Sequence, residues 1–348
     1  SYRSYLNKYP KGKFYIEAIE LHEEHFWNYT NKLNTVLGYD NFIAQYGRSK
    51  YIKEAYDLRE DALWNASQNT RNFEDYIRQY PTGKYIKQAN YLREEASWNN
   101  AKKTNTASSY QSYMVKYPKG KYYYEALKMK IKSEGYGMFT DSRDGRIYKT
   151  VKIGNQVWMA ENLAYLPSVS PLSSDSHSSH YYVYGYNGTS IAAAKATSNY
   201  QTYGVLYNWP AAMNGASSSN TNPSGVQGIC PTGWHLPSEA EWNVLIIYLG
   251  GKDVAGGKMK ETGTLHWKSP NSGANNKSRF TALPGGIYWG RSTFNYKGNR
   301  ASFWTSFKHD TYLAQCRSVY WEKASISSDS YSTCASGNKG LSVRCVKN

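Results

Sequence analysis

The residues best suited to chemistry stand together in one stretch, "CPTGWHLPSEAEW", from Cys230 to Trp242. It holds a thiol, an imidazole and two carboxylates, groups that serve elsewhere as nucleophiles, acids and bases. Glu239 and Glu241, however, lie at i and i+2, so their side chains point to different sides of a helix. Ser238 and Glu241 have the S-x-x-E spacing of a capping box. The stretch is therefore predicted to be a scaffold element that leads a strand into a helix.

Other groups that could act as catalysts or metal ligands are scattered. His22 and His25 share a helix face, but no third ligand stands near them, so a surface or packing role is expected. The histidines of "HSSH", residues 177–180, fall in a low-complexity segment. The chain contains no G-x-S-x-G serine motif and no Glu-Pro-Asn or Trp-Asn-Asp calcium motif. We therefore expect no catalysis, no metal and no cofactor.

All four cysteines lie in the second half of the chain, at Cys230, Cys316, Cys334 and Cys345. None forms a CxxC pair of the kind that binds zinc or carries out thiol redox chemistry. An even count fits two disulfides, which require an oxidising compartment. Four cysteines allow three pairings, and counting does not choose among them. A cytosolic protein with four reduced thiols is the alternative.

Composition indicates a basic, tyrosine-rich protein that is long enough for two domains. Of the 348 residues, 42 are Lys or Arg and 26 are Asp or Glu. The excess is shared between residues 1–137 and residues 138–348, which favours acidic partners without naming one. No Lys/Arg run marks a nucleic-acid groove, so no nucleic acid is expected. Tyrosine outnumbers phenylalanine by 35 to 9, as suits either recognition surfaces or a helical-repeat core.

Residues 1–137 form an internal repeat. The turns "KYPKGKF", "QYGRSKY", "QYPTGKY" and "KYPKGKY" recur at intervals of 37, 34 and 37 residues, and a tryptophan follows each of the first three. The period resembles that of the tetratricopeptide-like family, without its full W-x2-L-G-x2-Y signature. Each repeat is predicted to be an αα-hairpin, with Thr35, Thr70 and Thr106 capping the short helices. The packing stripe of the long helix is predicted to consist of Ile52, Ala55, Ala62 and Ala66.

The pattern changes at residues 133–145, which we interpret as the boundary between two domains. "RIYKTVKIGNQVWMAENL" then alternates apolar and polar residues around Gly154-Asn155, which predicts a β-hairpin. Residues 168–203 and 214–228 are rich in Ser, Asn, Gly and Tyr and are predicted to be surface loops or insertions, with too little aliphatic content for the core. After the capping box, a helix ending at Gly250-Gly251 is expected. Its buried stripe is predicted to be Trp242, Leu245, Ile246 and Leu249.

From about residue 139 the chain resembles one family throughout. The blocks that carry the resemblance are, in order, "TDSRDGRIYKTVKIGNQVWMAENLAY", "YGVLYNWPAAM", "GICPTGWHLPSEAEWNVL", "VAGGKMKETG", "FTALPGG", "ASFWTS" and "GLSVRCVKN". They look like the Fibrobacter succinogenes major paralogous domain family, found mostly in secreted or surface proteins of Bacteroidota and Fibrobacterota. That family is similar to the C-type-lectin-like fold in its formylglycine-generating-enzyme branch. Together with the repeats, the resemblance predicts an α+β protein: an αα-hairpin repeat array over residues 1–137, followed by a C-type-lectin-like mixed α/β domain over residues 138–348.

The resemblance also suggests how the cysteines pair and what they do not do. Cysteines equivalent to Cys230 and Cys345 recur in the family, so these two are predicted to be bonded. Cys316 and Cys334 then remain, and their bond would close a loop of about 18 residues, worth roughly 3 kcal/mol. Formylglycine-generating relatives are copper-dependent oxidases that use a close pair of reactive cysteines. No such pair is present, which argues against that activity.

In C-type-lectin-like folds the C-terminal strands and loops form the ligand face, which the resemblance places at residues 307–340. This segment mixes aromatic anchors with adaptable polar groups, as suits a protein or glycan ligand. Alternate residues such as Leu313 and Val319 are expected to be core, with about half of the strand facing outward. The predicted ligand-binding residues are Tyr288, Trp289, Tyr296, His309, Tyr312, Gln315, Arg317, Tyr320, Trp321, Lys323 and Tyr331.

These observations predict a non-catalytic recognition or adhesion protein that is secreted or held at the cell surface. Its lectin-like domain would bind a protein or glycan, and its repeats would act as a spacer or dock an envelope protein. Because the chain opens inside a repeat, we expect a trimmed leader that carried a secretion signal or lipid anchor. The alternatives are a structural cell-envelope scaffold, a degenerate oxidase, or a variable ligand-binding protein of a diversity-generating retroelement. The last fits the Tyr, Ser, Asn, Asp and Cys content of the C-terminal tract.

Overall fold

The computed structural model describes residues 2–172, 178–290, 292–309, 313–328 and 339–348. The chain divides into two compact units, Ser1–Ser133 and Glu134–Asn348. We call them the helical unit and the C-terminal unit. The described part of the first contains helices, whereas the second mixes short helices with small sheets. The secondary structure of the chain is therefore α+β, as predicted.

The helical unit alternates short and long helices. Their bounds are α1 Tyr2–Lys8, α2 Tyr15–Leu33, α3 Val36–Gln45, α4 Ile52–Thr70, α5 Glu74–Gln79, α6 Ile86–Thr104, α7 Ala107–Lys116 and α8 Tyr123–Ser133. Three apolar clusters, built around Trp27, Trp64 and Trp98, lie between consecutive helices. Each long helix therefore contributes one tryptophan to the packing of the next pair.

Two of the three predicted threonine caps are present. The side chains of Thr35 and Thr106 accept backbone N–H groups in the first turns of α3 and α7, each at 3.1 Å. Thr70 does not cap α5, so that prediction was wrong. It is the last residue of α4, and its Oγ1 donates a hydrogen bond to the carbonyl of Ala66. The side chain of Asn72 instead accepts the first-turn amide of α5.

The buried stripe of α4 only partly follows the prediction. Ala55 and Ala62 are buried against α3, but Ala66 is exposed and Ile52 is half-buried. The burial of α4 continues instead through Trp64 and Ser67. Trp64 packs in a separate cluster with the following helices, so α4 has two buried sides. A single small-residue stripe could not describe a helix with neighbours on both sides.

The C-terminal unit contains seventeen elements within the described residues, and their bounds are β1 Gly137–Thr140, β2 Ile147–Ile153, β3 Gln156–Met159, β4 Tyr181–Tyr182, α9 Ile191–Lys195, α10 Ser198–Tyr203, β5 Leu206–Tyr207, α11 Trp209–Met213, β6 Trp234–His235, α12 Glu239–Tyr248, α13 Lys252–Met259, β7 Gly285–Gly290, β8 Thr293–Lys297, β9 Arg300–Lys308, β10 Ala314–Tyr320, β11 Ile326–Ser328 and β12 Val346–Lys347. The described strands form one sheet in the order β1-β2-β3-β12-β6 and a second in the order β11-β10-β9. Two pairs, β4-β5 and β7-β8, stand apart.

The predicted hairpin is formed by β2 and β3. Ile153 faces Gln156 across the Gly154-Asn155 turn, and Gly154 has a φ of +60°, which suits a residue without Cβ. In the same sheet, Val346 of β12 pairs with strands on both sides. The end of the described chain therefore lies beside the entry to α12.

The predicted stripe of α12 is confirmed, because all four of its apolar residues are buried. Trp242 packs on Trp158 of β3, with ring centroids 4.8 Å apart, and on Phe303 of β9, at 5.6 Å. The helix thus joins the two larger sheets through one aromatic cluster. This cluster fixes the positions of β9 and β10, on which the predicted ligand face depends.

The prediction that residues 168–203 lie outside the core was wrong. Within its described part this segment contains β4, α9 and α10, and it buries Val183, Ala194 and Tyr200 in the largest apolar cluster. The Tyr200 hydroxyl donates a hydrogen bond to the carbonyl of Ala164 at 2.8 Å. Aromatic rings and alanines supply the core here. A search for aliphatic residues therefore missed it.

Candidate ligand-binding surface

The stretch from Cys230 to Trp242 is a structural element, as its sequence predicts. Ser238 and Glu241 form the capping box of α12, with each side chain accepting the other residue's backbone amide. The carboxylate of Glu241 also forms a hydrogen bond with His235, whose Nε2 lies 2.7 Å from Glu241 Oε1. Burial alone lowers the pKa of His235, but hydrogen bonds to Glu241 and Asn348 outweigh it and raise that pKa. The imidazole of His235 and the carboxylate of Glu241 are buried and hydrogen-bonded to each other, so their contact is structural.

The second carboxylate of the stretch lies apart from the first. Glu239 Oε1 accepts a hydrogen bond from Arg317 Nη2 at 2.9 Å, and Asn243 Oδ1 accepts from the same nitrogen at 2.9 Å. Glu239 and Glu241 thus bind different basic side chains on different sides of α12. Their geometry matches a helix anchored at its first turn to β6 and β10. It does not resemble a pair of carboxylates converging on one substrate.

The predicted bond between Cys230 and Cys345 is present, and it links residues 115 positions apart. Both sulfurs lie in the largest apolar cluster. Cys316 is also disulfide-bonded. Its predicted partner, Cys334, lies outside the described residues.

Three residues predicted to bind a ligand are buried, so they cannot contact a ligand at the surface. Tyr288, Gln315 and Arg317 are exposed by only 1%, 4% and 2%. The ring of Tyr288 stacks on Tyr182 at 3.9 Å, and Arg317 is held by α12. The expected alternation along β10 fails because every residue from Ala314 to Val319 is buried. A strand covered on both faces has no outward side.

The other predicted residues separate into three groups. Tyr296 is 43% exposed, and His309 and Lys323 are also exposed. Trp289, Tyr320 and Trp321 are half-buried, with part of each ring open to solvent. Tyr312 and Tyr331 lie outside the described residues.

Three of these side chains lie close together, and Trp321 directly follows the third along the chain. We call the four the aromatic patch: Trp289, Tyr296, Tyr320 and Trp321. The rings of Trp289 and Tyr296 meet edge to face, 6.1 Å apart. The guanidinium of Arg300 lies 6.0 Å from the Tyr296 ring and 5.1 Å from the Tyr320 ring. The amide of Trp321 donates to the carbonyl at the β8–β9 turn. Strands β7, β8, β9 and β10 thus bring the patch together.

Cations accompany every ring of the patch. Lys339 Nζ lies 3.9 Å from the centre of the Trp289 ring, and Lys268 Nζ lies 4.9 Å from that of Trp321. Lys339 and Arg300 are buried. Burial and the nearby charge of Arg300 lower the pKa of Lys339. Neither cation could be predicted from the sequence, because Arg300 and Lys339 are far apart along the chain and neither belongs to a charged run.

The C-terminal unit also contains a polar cavity of about 170 Å³ whose charged groups have internal partners. Lys149 pairs with Glu134 at 2.6 Å, and its backbone amide donates to Glu161 Oε2. Glu261 pairs with His266. Burial lowers the pKa of Arg344 to about 9, but its guanidinium donates to three carbonyls and one amide oxygen. Arg344 therefore stays charged at neutral pH, and its hydrogen bonds stabilise the core.

The described residues give no sign of a metal centre or of a membrane span. No group of three or more His, Cys, Asp or Glu side chains among them is placed to hold a metal ion. No helix in the described part of the chain is both long enough and apolar enough to cross a bilayer.

Comparison with known proteins gives one match. The Fibrobacter succinogenes major domain matches residues 151–347, more than half of the chain. No curated protein and no solved structure matches the chain. The matched range contains the α12 entry, the buried disulfide and the whole aromatic patch. The chain belongs to the Fibrobacter succinogenes major domain family.

Proposed function

We propose that the protein is a non-catalytic recognition or adhesion protein whose C-terminal unit, folded in a C-type-lectin-like manner, binds a protein or glycan through the aromatic patch. The observation that carries the proposal is that partly open rings and cations lie together where β7, β8, β9 and β10 meet. Large rings that keep some solvent exposure are typical centres of binding energy.

The chemistry of the patch favours a ligand with both flat apolar faces and anionic groups. Tyrosine and tryptophan rings offer broad contact area and lose few rotamers on binding. Lys268 and Lys323 are exposed beside them, so they can meet carboxylate, sulfate or phosphate groups. Acidic sugars and acidic protein loops share these properties. The net charge of +16 adds a long-range attraction for such partners.

We further propose that the protein works outside the cytoplasm. The disulfide between Cys230 and Cys345 supports this, since such bonds persist mainly in oxidising compartments. The helical unit would then act as a spacer or docking arm, because its packing is devoted to helix–helix contacts. Stacked helical pairs present extended surfaces suited to that role.

The full chain on glycan and protein microarrays tests the proposal. Tyr296→Ala and Trp321→Ala should each weaken binding at least tenfold, because each removes an open ring from the patch. Tyr124→Ala is the matched control: this tyrosine is 67% exposed but lies in the helical unit. Binding that survives both patch substitutions, or no binding to any acidic ligand, would refute the recognition role and favour a structural scaffold.

A further inference from the structure

The polar cavity of the C-terminal unit contains two charged groups whose internal partners leave part of each unused. The cavity has a volume of about 170 Å³, which is room for several water molecules or for one small solute. Among its charged lining residues, Lys149 and Glu261 form ion pairs, and Arg344 donates to core carbonyls. Arg146 and Glu161 also line the cavity, and they keep hydrogen-bonding capacity for a ligand.

Glu161 has one carboxylate oxygen bound and one open. Its Oε2 accepts the backbone amide of Lys149 at 2.6 Å, and the carbonyl of Lys149 accepts the amide of Ala160 at 2.8 Å. These two bonds fix the side chain of Glu161 beside β2. Within the described residues its Oε1 accepts no hydrogen bond, although each oxygen of a carboxylate has two acceptor sites. The side chain is half-buried, so Oε1 is a positioned acceptor that a ligand can reach.

Arg146 is the positioned donor. Its guanidinium lies 5.4 Å from the centre of the Tyr148 ring and 5.6 Å from that of the Tyr200 ring. Both rings are themselves fixed, because the Tyr148 hydroxyl accepts the amide of Ala164 and the Tyr200 hydroxyl donates to its carbonyl. Even with a hydrogen bond to the Tyr200 hydroxyl, a guanidinium with five N–H donors keeps several of them available.

Arg146 and Glu161 line the same cavity without contacting each other. Arg146 directly precedes β2 and Glu161 follows β3, so the β2–β3 hairpin holds both charges in place. The two charges attract each other, yet no ion pair in the described part of the chain joins them. Opposite charges that are partly removed from water need counter-charges close by. A ligand that carries both complementary charges therefore suits this cavity best.

The walls of the cavity argue against a sugar as its occupant. Sugars commonly bind with one face of the ring against an aromatic side chain, and Tyr136 is the one aromatic residue among the described lining residues. Its ring already faces Arg279 at 4.3 Å and Lys149 at 5.0 Å. A neutral sugar would also displace water from Arg146 and Glu161 without supplying a counter-charge to either.

We infer that this cavity is a binding site for a small zwitterion, a free α-amino acid with a short side chain. The carboxylate of the amino acid accepts hydrogen bonds from the guanidinium of Arg146, a pairing that favours two parallel bonds. Its ammonium donates to Oε1 of Glu161. Gln201 and Thr202, which also line the cavity, offer polar contacts to the side chain. The cavity shares no residue with the aromatic patch, so the inference goes beyond the recognition function proposed for the patch.

The test titrates the full chain with glycine, L-alanine, L-serine and L-threonine in a calorimeter. We expect at least one of these amino acids to bind saturably. Its N-acetyl derivative lacks the ammonium and its methyl ester lacks the carboxylate, so each should bind at least tenfold more weakly. These comparisons use the unaltered protein, and a folding defect therefore cannot produce the result. D-glucose, titrated in the same way, tests the sugar alternative.

Two substitutions then assign the contacts. Arg146→Gln and Glu161→Gln should each weaken binding of the amino acid at least tenfold. Glu161→Gln keeps an oxygen that can accept the amide of Lys149, so the hairpin is expected to stay intact, and circular dichroism checks the fold of both variants. Lys152→Gln is the matched control, because Lys152 is an exposed cation on β2 that does not line the cavity.

Four outcomes overturn the inference. The cavity holds water alone if none of the four amino acids binds. The charges do not select the ligand if the acetylated and esterified forms bind as tightly as the parent amino acid, or if D-glucose binds as tightly. The site lies elsewhere if folded Arg146→Gln and Glu161→Gln both keep the affinity of Lys152→Gln. Trp321→Ala, which tests the aromatic patch, should leave amino acid binding unchanged.

Discussion

His235 Nε2 lies 2.7 Å from Glu241 Oε1, and both side chains are buried. The pair ties β6 to the first turn of α12. Since the pKa of His235 is raised, the folded protein holds this proton more tightly than the unfolded chain, whose histidines titrate near about 6.5. The pair therefore contributes its full stability below that pH. Its contribution is lost as pH rises through the raised value.

We accordingly predict that the C-terminal unit loses stability as pH rises above about 6.5, and that His235→Asn flattens this dependence. Hydrogen exchange of β6 and α12, measured by mass spectrometry between pH 5.5 and 8.5, reports the change. His309→Asn is the control, since His309 is exposed. An unchanged slope in His235→Asn would show that the pair is not the source.

The bond between Cys230 and Cys345 should be the largest single covalent contribution to the C-terminal unit. It spans 115 residues, and chain-entropy arguments give about 4 to 5 kcal/mol for a loop of that size. Cys230→Ala with Cys345→Ala is expected to lower the free energy of unfolding by about that amount. Chemical denaturation measures it, with the helical unit's own transition as an internal reference. A double variant as stable as the oxidised protein would contradict the estimate.

Gly83, in the turn between Pro81 and Lys84, has no room for a side chain, because Glu60 and Tyr80 lie against it. A Cβ added at Gly83 would clash with Glu60 Oε1 and would lie 2.7 Å from Tyr80 Cβ. Gly83→Ala should therefore destabilise the helical unit by about 1 to 3 kcal/mol, the usual range for overpacking. Gly47→Ala is the control, because its nearest contact would be an ordinary 3.4 Å. Equal melting temperatures for the two variants would rule out the proposed clash.

Local patterns in the sequence predicted those features whose causes are local. The β2–β3 hairpin follows from its turn residues, and the start of α12 follows from the capping spacing of Ser238 and Glu241. The pairing of Cys230 with Cys345 came from family resemblance, because spacing left three choices. Short-range signals work where the residues that decide a conformation stand within a few positions of each other.

Features that depend on distant partners were not predictable in this way. The alternation rule placed half of β10 in solvent, yet both faces of that strand are covered: Ala314 and Cys316 pack in the largest apolar cluster, and Arg317 contacts α12. Gln315 and Arg317 are consequently not part of the candidate surface, while the buried cations Arg300 and Lys339 lie against its rings. No pattern near Arg300 shows that it will lie against Tyr320. Only the packing of β9 on β10 reveals the contact.

Buried Lys260 is hydrogen-bonded to the backbone of the segment that carries Tyr320 and Trp321 of the aromatic patch. Its Nζ donates to the carbonyls of Ser272, Tyr320 and Lys323, each at 2.9 Å. Burial lowers its pKa to about 8, so it remains an ammonium at neutral pH. Lys260→Met removes this donor from all three carbonyls and should cost about 3 kcal/mol of stability.

Because two of the carbonyls belong to the segment that carries Tyr320 and Trp321, Lys260→Met should also weaken ligand binding at the aromatic patch without touching an exposed residue. Lys258→Met is the matched control: Lys258 donates to a single carbonyl, that of Leu249, so a loss nearer 1 kcal/mol and unchanged binding are expected. Denaturant unfolding and microarray titration of both variants decide the matter. Equal losses in the two would mean that the three-carbonyl contact does not hold the patch in place.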